Sequence, residues 1–385
     1  MSSLDGFLSS ALQELDTQGL RRSLRVIQEI KGTRVKIAGR ELQNFSSNDY
    51  LGLASHPALA EAMAEAAGRY GVGSTASRLI CGTTAEHVAL EEELAAAKGT
   101  EAALVFSTGV AAAMGAIPAL MGKGDVIILD KLAHACLIDG ARASEAVLRV
   151  FPHNDLAKLE SHLQWAREKY PKAKVMILTE SVFSMDGDLA PLREIVELKD
   201  RYGAILFLDE AHAVGVRGTG AQGLAGELGL SDRVEIQMGT LGKALGVSGG
   251  IIAGSRLMID FLINRARSFI FSTAPSPAIA AACRAALRIV QSEEGNQLRA
   301  KLQHNLAVLA SGLDLLTTPQ SAIIPVILGS EESALAEAAR LFEAGFFVPA
   351  IRYPTVPRNT ARLRITVSAA HGAEQIQRFA DKVTE

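Results

Sequence analysis

Cysteine is scarce: 385 residues hold three, Cys81, Cys136 and Cys283, far apart and with no CxxC pair. An odd, sparse set argues against a disulfide framework and against a structural zinc site. No resident metal and a reducing, cytosolic compartment are therefore expected. An excess of positive charge is also missing. The formal net charge is −3, so nothing draws the chain to nucleic acid or to a membrane surface. No stretch reaches the roughly 18 uninterrupted apolar residues of a membrane span. The nearest, VAAAMGAIPALMGKGDVIILD, is broken by Pro118 and by Gly122-Lys123. The first residues alternate apolar and charged at helical spacing, without the basic start and apolar run of a signal peptide. Internal repeats, low-complexity linkers and a GxxxxGK[ST] loop are absent too.

What is present is ordinary for a globular chain: 48% hydrophobic and 21% charged residues, enough for a large core. At roughly 150 residues per domain the length suggests two or three structural units. Short β-branched runs alternate with alanine-rich amphipathic stretches, the pattern of a sheet covered by helices. Strands are expected at 102–106, 126–129, 175–178, 205–208, 236–239 and 250–253. Helices are expected at 57–70, 84–98, 109–121, 155–169, 191–202 and 275–292. After about residue 290 the texture changes to a small α+β domain, with helices near 294–312 and 331–344. The expected division is an N-terminal arm at 1–45 (a helix plus the hairpin RVKIAGRELQNF), a large α/β domain at 46–290, and a small domain at 291–385.

The sharpest local signal is Thr240-Leu241-Gly242-Lys243-Ala244-Leu245-Gly246, just after an apolar strand. A lysine in a turn is ordinarily a solvated charge. Schiff-base chemistry, by contrast, needs an amine that loses its proton near neutral pH, which desolvation favours. Ile205-Leu206-Phe207-Leu208-Asp209-Glu210-Ala211-His212 puts an acid at the carboxyl end of another strand, the edge where open parallel sheets bind ligands. There Asp209 could pair with a pyridinium nitrogen, and His212 could reach a ring oxygen. The rival for such a DEAH-like string, magnesium and nucleotide binding, lacks its phosphate loop. Ser107-Thr108-Gly109-Val110 opens a helix after 102–106, a setting for phosphate. His134, Glu180 and Ser184 follow two further strands and face the same edge. Each of these alone has a bland structural reading; their convergence points to a cofactor site.

In this order the residues resemble the α-oxoamine synthases, fold-type-I pyridoxal-phosphate enzymes that join an amino acid to an acyl thioester with loss of CO2. The likeness runs from FSSNDYLGL to RLR at 362–364 and includes GVGSTASRLICGTTAEHVALEEELA, SVFSMDGD, LDEAHAVGVRG, GTLGKALG and FSTAPSP. It implies an α/β fold: a large domain with a mainly parallel seven-stranded sheet flanked by helices, plus a small α+β C-terminal domain. It implies Lys243 as the Schiff-base lysine, Asp209 at the pyridinium nitrogen, and His212 and Ser184 at the phenolic oxygen. His134 stacks on the ring. Ser107, Thr108, Gly109, Val110, Glu180 and Thr240 lie at the cofactor. Ser272 and Thr273 reach the phosphate of the second subunit of a homodimer. Arg21, Asn48, His134, Arg352 and Thr355 contact substrate, with Arg352 as a carboxylate clamp. AIRYPTVP followed by TARLRITVSAAH is most similar to the biotin-pathway branch, which uses L-alanine and a pimeloyl thioester on coenzyme A or a carrier protein. A branch using glycine and acetyl-CoA, and an aminotransferase of the same fold type, stay open.

Overall fold

The computed structural model describes residues 2–385. These residues form two compact units: Asp49–Ser184 with Asp188–Lys301, and residues 2–48 with Met185–Gly187 and Leu302–Glu385. The arm and the C-terminal segment thus share one unit.

The larger unit holds seven strands: β1 (Ala102–Phe106), β2 (Val126–Asp130), β3 (Val147–Phe151), β4 (Val175–Glu180), β5 (Ile205–Asp209), β6 (Ile236–Thr240) and β7 (Gly250–Gly254). Their order is β1-β7-β6-β5-β4-β2-β3. All neighbours pair in parallel except β7, which runs antiparallel to both β1 and β6. Every residue of β1, β2, β4 and β7 is buried, as in a sheet covered on both faces, which is why these strands read as unbroken apolar runs. Six strands lie where those runs put them. The unannounced one, β3, is an edge strand whose Arg149 interrupts a half-exposed run. The amphipathic spacing places Pro57–Tyr70, Ala85–Lys98, Gly109–Leu120, Leu156–Lys169, Leu192–Tyr202 and Pro277–Gln291 within a residue or two of expectation. It does not announce the short helices Ala135–Ala143 and Arg256–Arg265.

In the smaller unit, Arg34–Ile37 and Arg40–Asn44 form the expected hairpin. Ala38 and Gly39 both take positive φ, 50° and 78°, the two-residue turn that matches strand twist. The exposed strand Ile27–Lys31 adds on one side and Phe346–Phe347 on the other. A second sheet joins Ile323–Gly329, Ala361–Thr366 and Ala350–Ile351. Phe45 sits between the rings of His371 and Phe379, with centroids 4.2 and 3.9 Å away.

One polar contact locks the larger unit from inside. Successive residues leaving β5 face opposite ways, so Asp209 and Glu210 part company. Glu210 is fully buried and pairs with the equally buried Lys98, which also donates to the Gln222 carbonyl at 2.8 Å. Its other oxygen accepts from the Ala225 amide at 2.9 Å. Gly223, at φ +77°, lies so close that a Cβ there would be 2.6 Å from the carboxylate. Substituting Lys98→Met leaves that carboxylate buried without its cationic partner. The expected loss is about 3–5 kcal/mol of unfolding free energy, read from urea denaturation.

Candidate active site

Strand pairing brings the carboxyl ends of the parallel strands to one edge. Glu180 of β4 is in register with Asp209 of β5, and Asp209 with Met238 of β6. Lys243 lies in the loop that returns β6 into β7. Three backbone bonds shape this loop: Leu241 N to Gly249 O (2.9 Å), Gly246 N to Lys243 O (2.8 Å) and Val247 N to Leu241 O (3.0 Å). Gly246 has φ +71°, and a Cβ there would lie 2.4 Å from the Ala54 amide nitrogen. Only glycine lets the lysine loop touch the segment after SSNDYLGL so closely.

Lys243 ends on a hydrogen-bonded chain. Its Nζ is 2.8 Å from His212 Nε2, and His212 Nδ1 is 2.6 Å from the Tyr50 hydroxyl. Tyr50 and His212 are both buried. The sequence reading passes over Tyr50, although it lies inside a quoted motif; its signal is a phenol in a run that is otherwise turn-forming.

The acids and His134 complete the electrostatics. Burial raises the pKa of the Asp209 carboxyl, while the Lys243 charge and an N–H from Ala211 at 2.9 Å hold it down. Glu180 is pushed well above the usual carboxylate range, first by burial and then by the Asp209 charge. Lys243 and the backbone N–H groups of His134 and Ser184 oppose that rise. Its Oε1 is buried without a hydrogen-bond partner among the described residues. His134 precedes helix Ala135–Ala143, and its Nδ1 accepts from the Cys136 amide at 3.2 Å. Burial and the Lys243 charge lower its pKa against the pull of Asp209, which favours a neutral ring. The Cys136 thiol, 3.0 Å from His134, is held protonated by burial and by the Asp209 and Glu180 charges. Lys243 acts electrostatically on all four groups, so the structure brings Lys243, Asp209, His212, His134, Glu180 and Ser184 together.

Ser107 to Val110 follow β1 and open helix Gly109–Leu120. The Thr108 hydroxyl accepts from Ala111 N at 3.0 Å, while the first amides, of Gly109 and Val110, lie ahead of the helical ladder. Gly109 is pressed on Thr240: a Cβ would fall 2.7 Å from its methyl. An anion-ready helix start, a buried acid opposite a lysine, a neutral imidazole and an unpaired carboxylate oxygen together fit pyridoxal phosphate. Ser272 and Thr273 follow the short helix Arg267–Ile270, with Thr273 bridged to Ser77.

The remaining expected residues belong to the smaller unit. Arg352 donates to the Gly19 and Arg21 carbonyls, and its Nε is buried without a partner among the described residues. The side chain of Arg21 turns to Asp16 at 2.6 Å; Arg22, which the sequence reading does not single out, reaches the Thr355 hydroxyl at 3.4 Å. Asn48 Oδ1 accepts from Arg364 at 3.1 Å.

Residues 40–383 match the family model for aminotransferase class I and II. An 8-amino-7-oxononanoate synthase of Geobacter sulfurreducens is 48% identical over 376 residues, 96% of this chain and 95% of the relative. Among solved structures, a serine palmitoyltransferase from S. paucimobilis with bound PLP-myriocin aldimine superposes with TM-score 0.92 at 29% identity, covering 100% of this chain and 99% of that one. An 8-amino-7-oxononanoate synthase from Francisella tularensis superposes with TM-score 0.73 at 29% identity, covering 89% and 98%.

Tyr50→Phe takes the hydroxyl away from the buried His212 Nδ1. It is expected to cost about 1–3 kcal/mol in urea unfolding.

Proposed function

The chain belongs to the class I and II aminotransferase family, and within it to the 8-amino-7-oxononanoate synthases; on that premise we propose that it joins L-alanine to a pimeloyl thioester. The products are 8-amino-7-oxononanoate, CO2 and the free thiol, and the cofactor is pyridoxal phosphate. The observation that carries the reading is the Lys243–His212–Tyr50 chain set beside the buried acids Asp209 and Glu180.

When bound, pyridoxal phosphate supplies an electron sink for charge developing at the amino-acid Cα. Lys243 would hold it through Nζ and Asp209 would face its ring nitrogen. His212 and Ser184 would face the phenolic oxygen and His134 the ring. Ser107, Thr108, Gly109, Val110 and Thr240 would line its phosphate, with Ser272 and Thr273 contributed across a homodimer. Glu180 holds the His134 and Ser184 loops at one spacing by accepting from both backbones. Lys243 Nζ is the base for the alanine Cα proton. His212, bonded at both ring nitrogens, accepts a proton on one side as it yields one on the other. The neutral His134 adds no positive charge against the ring. In the smaller unit, Arg352 has an unpaired buried Nε that a carboxylate would complete, with the fork geometry suited to one; Arg21, Asn48 and Thr355 are its companions for substrate.

The dimer is supported by exposed apolar side chains on two bridged segments: Val72, Leu79 and Ile80 on one and Phe271 on the other. Among the described residues no helix is long and apolar enough to cross a membrane, and we place the enzyme in the cytoplasm.

Purified protein is expected to release free thiol from pimeloyl-CoA with alanine and little from acetyl-CoA with glycine; the reverse preference would sink the substrate reading. Lys243→Ala should lose the visible cofactor absorbance and at least about a thousandfold in turnover. Arg352→Lys keeps the charge but not the fork, so KM for alanine should rise about tenfold with kcat less affected.

A further inference from the structure

Behind the loops that carry His134 and Ser184 lies a second polar cluster that the reaction outlined above does not use. His153, just past β3, places Nδ1 3.1 Å from Asp130 Oδ1 and Nε2 2.7 Å from Asp188 Oδ2. Both ring nitrogens face carboxylate oxygens, so both must donate and the ring is an imidazolium. Each acid governs one active-site loop. Asp130 closes β2, and its carboxylate also accepts from the amides of Leu132 (2.8 Å) and Asn154 (3.0 Å), shaping the turn that delivers His134. Asp188 stands on the hairpin that carries Ser184: its carbonyl accepts from Phe183 N at 3.0 Å, and Val182 bridges Leu189. The His153 ring also meets Phe183, the residue before Ser184, edge-on at 4.3 Å. Asn154 adds bonds of 3.2 Å to the Asp188 carboxylate and the Leu189 carbonyl.

We propose that His153 is a positioning residue: a charged crosslink between Asp130 and Asp188 that sets the separation of His134 and Ser184 from behind, as Glu180 sets it from within. The inference rests on the proposed assignment of His134 to the cofactor ring and of Ser184 to its phenolic oxygen. The charged groups facing His153 are Asp130 from the end of β2 and Asp188 from the hairpin. Burial alone would lower the ring's pKa, but the hydrogen bonds and charges of the two acids outweigh it and raise it to about 10. A pKa raised on folding contributes stability that is complete below the ordinary imidazole value of 6.5. That contribution shrinks as pH rises and is gone above about 10.

The test uses His153→Gln in the cofactor-loaded protein, without substrate, so that its outcome is independent of which amino acid or thioester is the true one. The pH midpoint of the cofactor's visible band should move by about one unit. With substrates, kcat should fall about 10- to 100-fold at unchanged KM for pimeloyl-CoA. The stability gap between parent and variant should close between pH 7 and 10. A variant that melts earlier but keeps the parent's band midpoint and kcat would make His153 merely structural and overturn the proposal. Should His153→Gln not fold, Asp188→Asn takes its place, and an unmoved band there overturns it equally. If the parent itself turns over no alanine, the substrate reading fails while the band still decides the role of His153.

Discussion

Two carboxyl groups, Glu180 and Asp209, end adjacent parallel strands in register and are buried close enough that the charge of Asp209 holds the proton on Glu180. Such a pair is tolerable only where cations and N–H groups are drawn up to it. The surroundings answer that demand: Lys243 from the β6–β7 loop, and the amides of His134, Ser184 and Ala211. The lysine's placement, the closeness of Gly246 to Ala54 and the chain through His212 to Tyr50 all follow from the need to bring a positive group to that edge. A flat cationic ring nitrogen inserted there would relieve the same repulsion, which is why the site suits its cofactor even before any chemistry begins.

Much of this was legible beforehand, for a physical reason. Strands buried on both faces must be apolar throughout, so β1, β2, β4 and β7 announce themselves and so do the residues at their ends. Lys243, Asp209, His212, His134 and Ser184 could be read as strand-end residues for that reason. What escaped reading depends on long-range contact. Tyr50 acquires its partner 162 positions away, and no local pattern marks a phenol that will meet an imidazole. Arg22 rather than the Arg21 side chain reaches Thr355, and both lie in the irregular segment past Ser3–Thr17, where no periodicity marks which side chain turns that way. β3 was hidden because an edge strand may carry arginine.

The two units divide the labour differently. The larger holds rigid strand ends and buried charge; the smaller holds Arg352, whose guanidinium donates to the backbone carbonyls of Gly19 and Arg21. Under the function proposed above, preorganisation is strict where protons move and looser where substrate is captured.

The parting of Asp209 and Glu210 carries one more implication. Two acids of different length stand side by side, the shorter turned to the cofactor site and the longer to Lys98 and the socket walled by Gly223. A residue deleted within β5 would bring the longer acid to where Asp209 stands, and one inserted would leave the shorter acid facing Lys98, unable to reach it. The strand's length is therefore under a double veto, one from chemistry and one from packing, and evolutionary drift in this chain has to find its freedom in the loops instead.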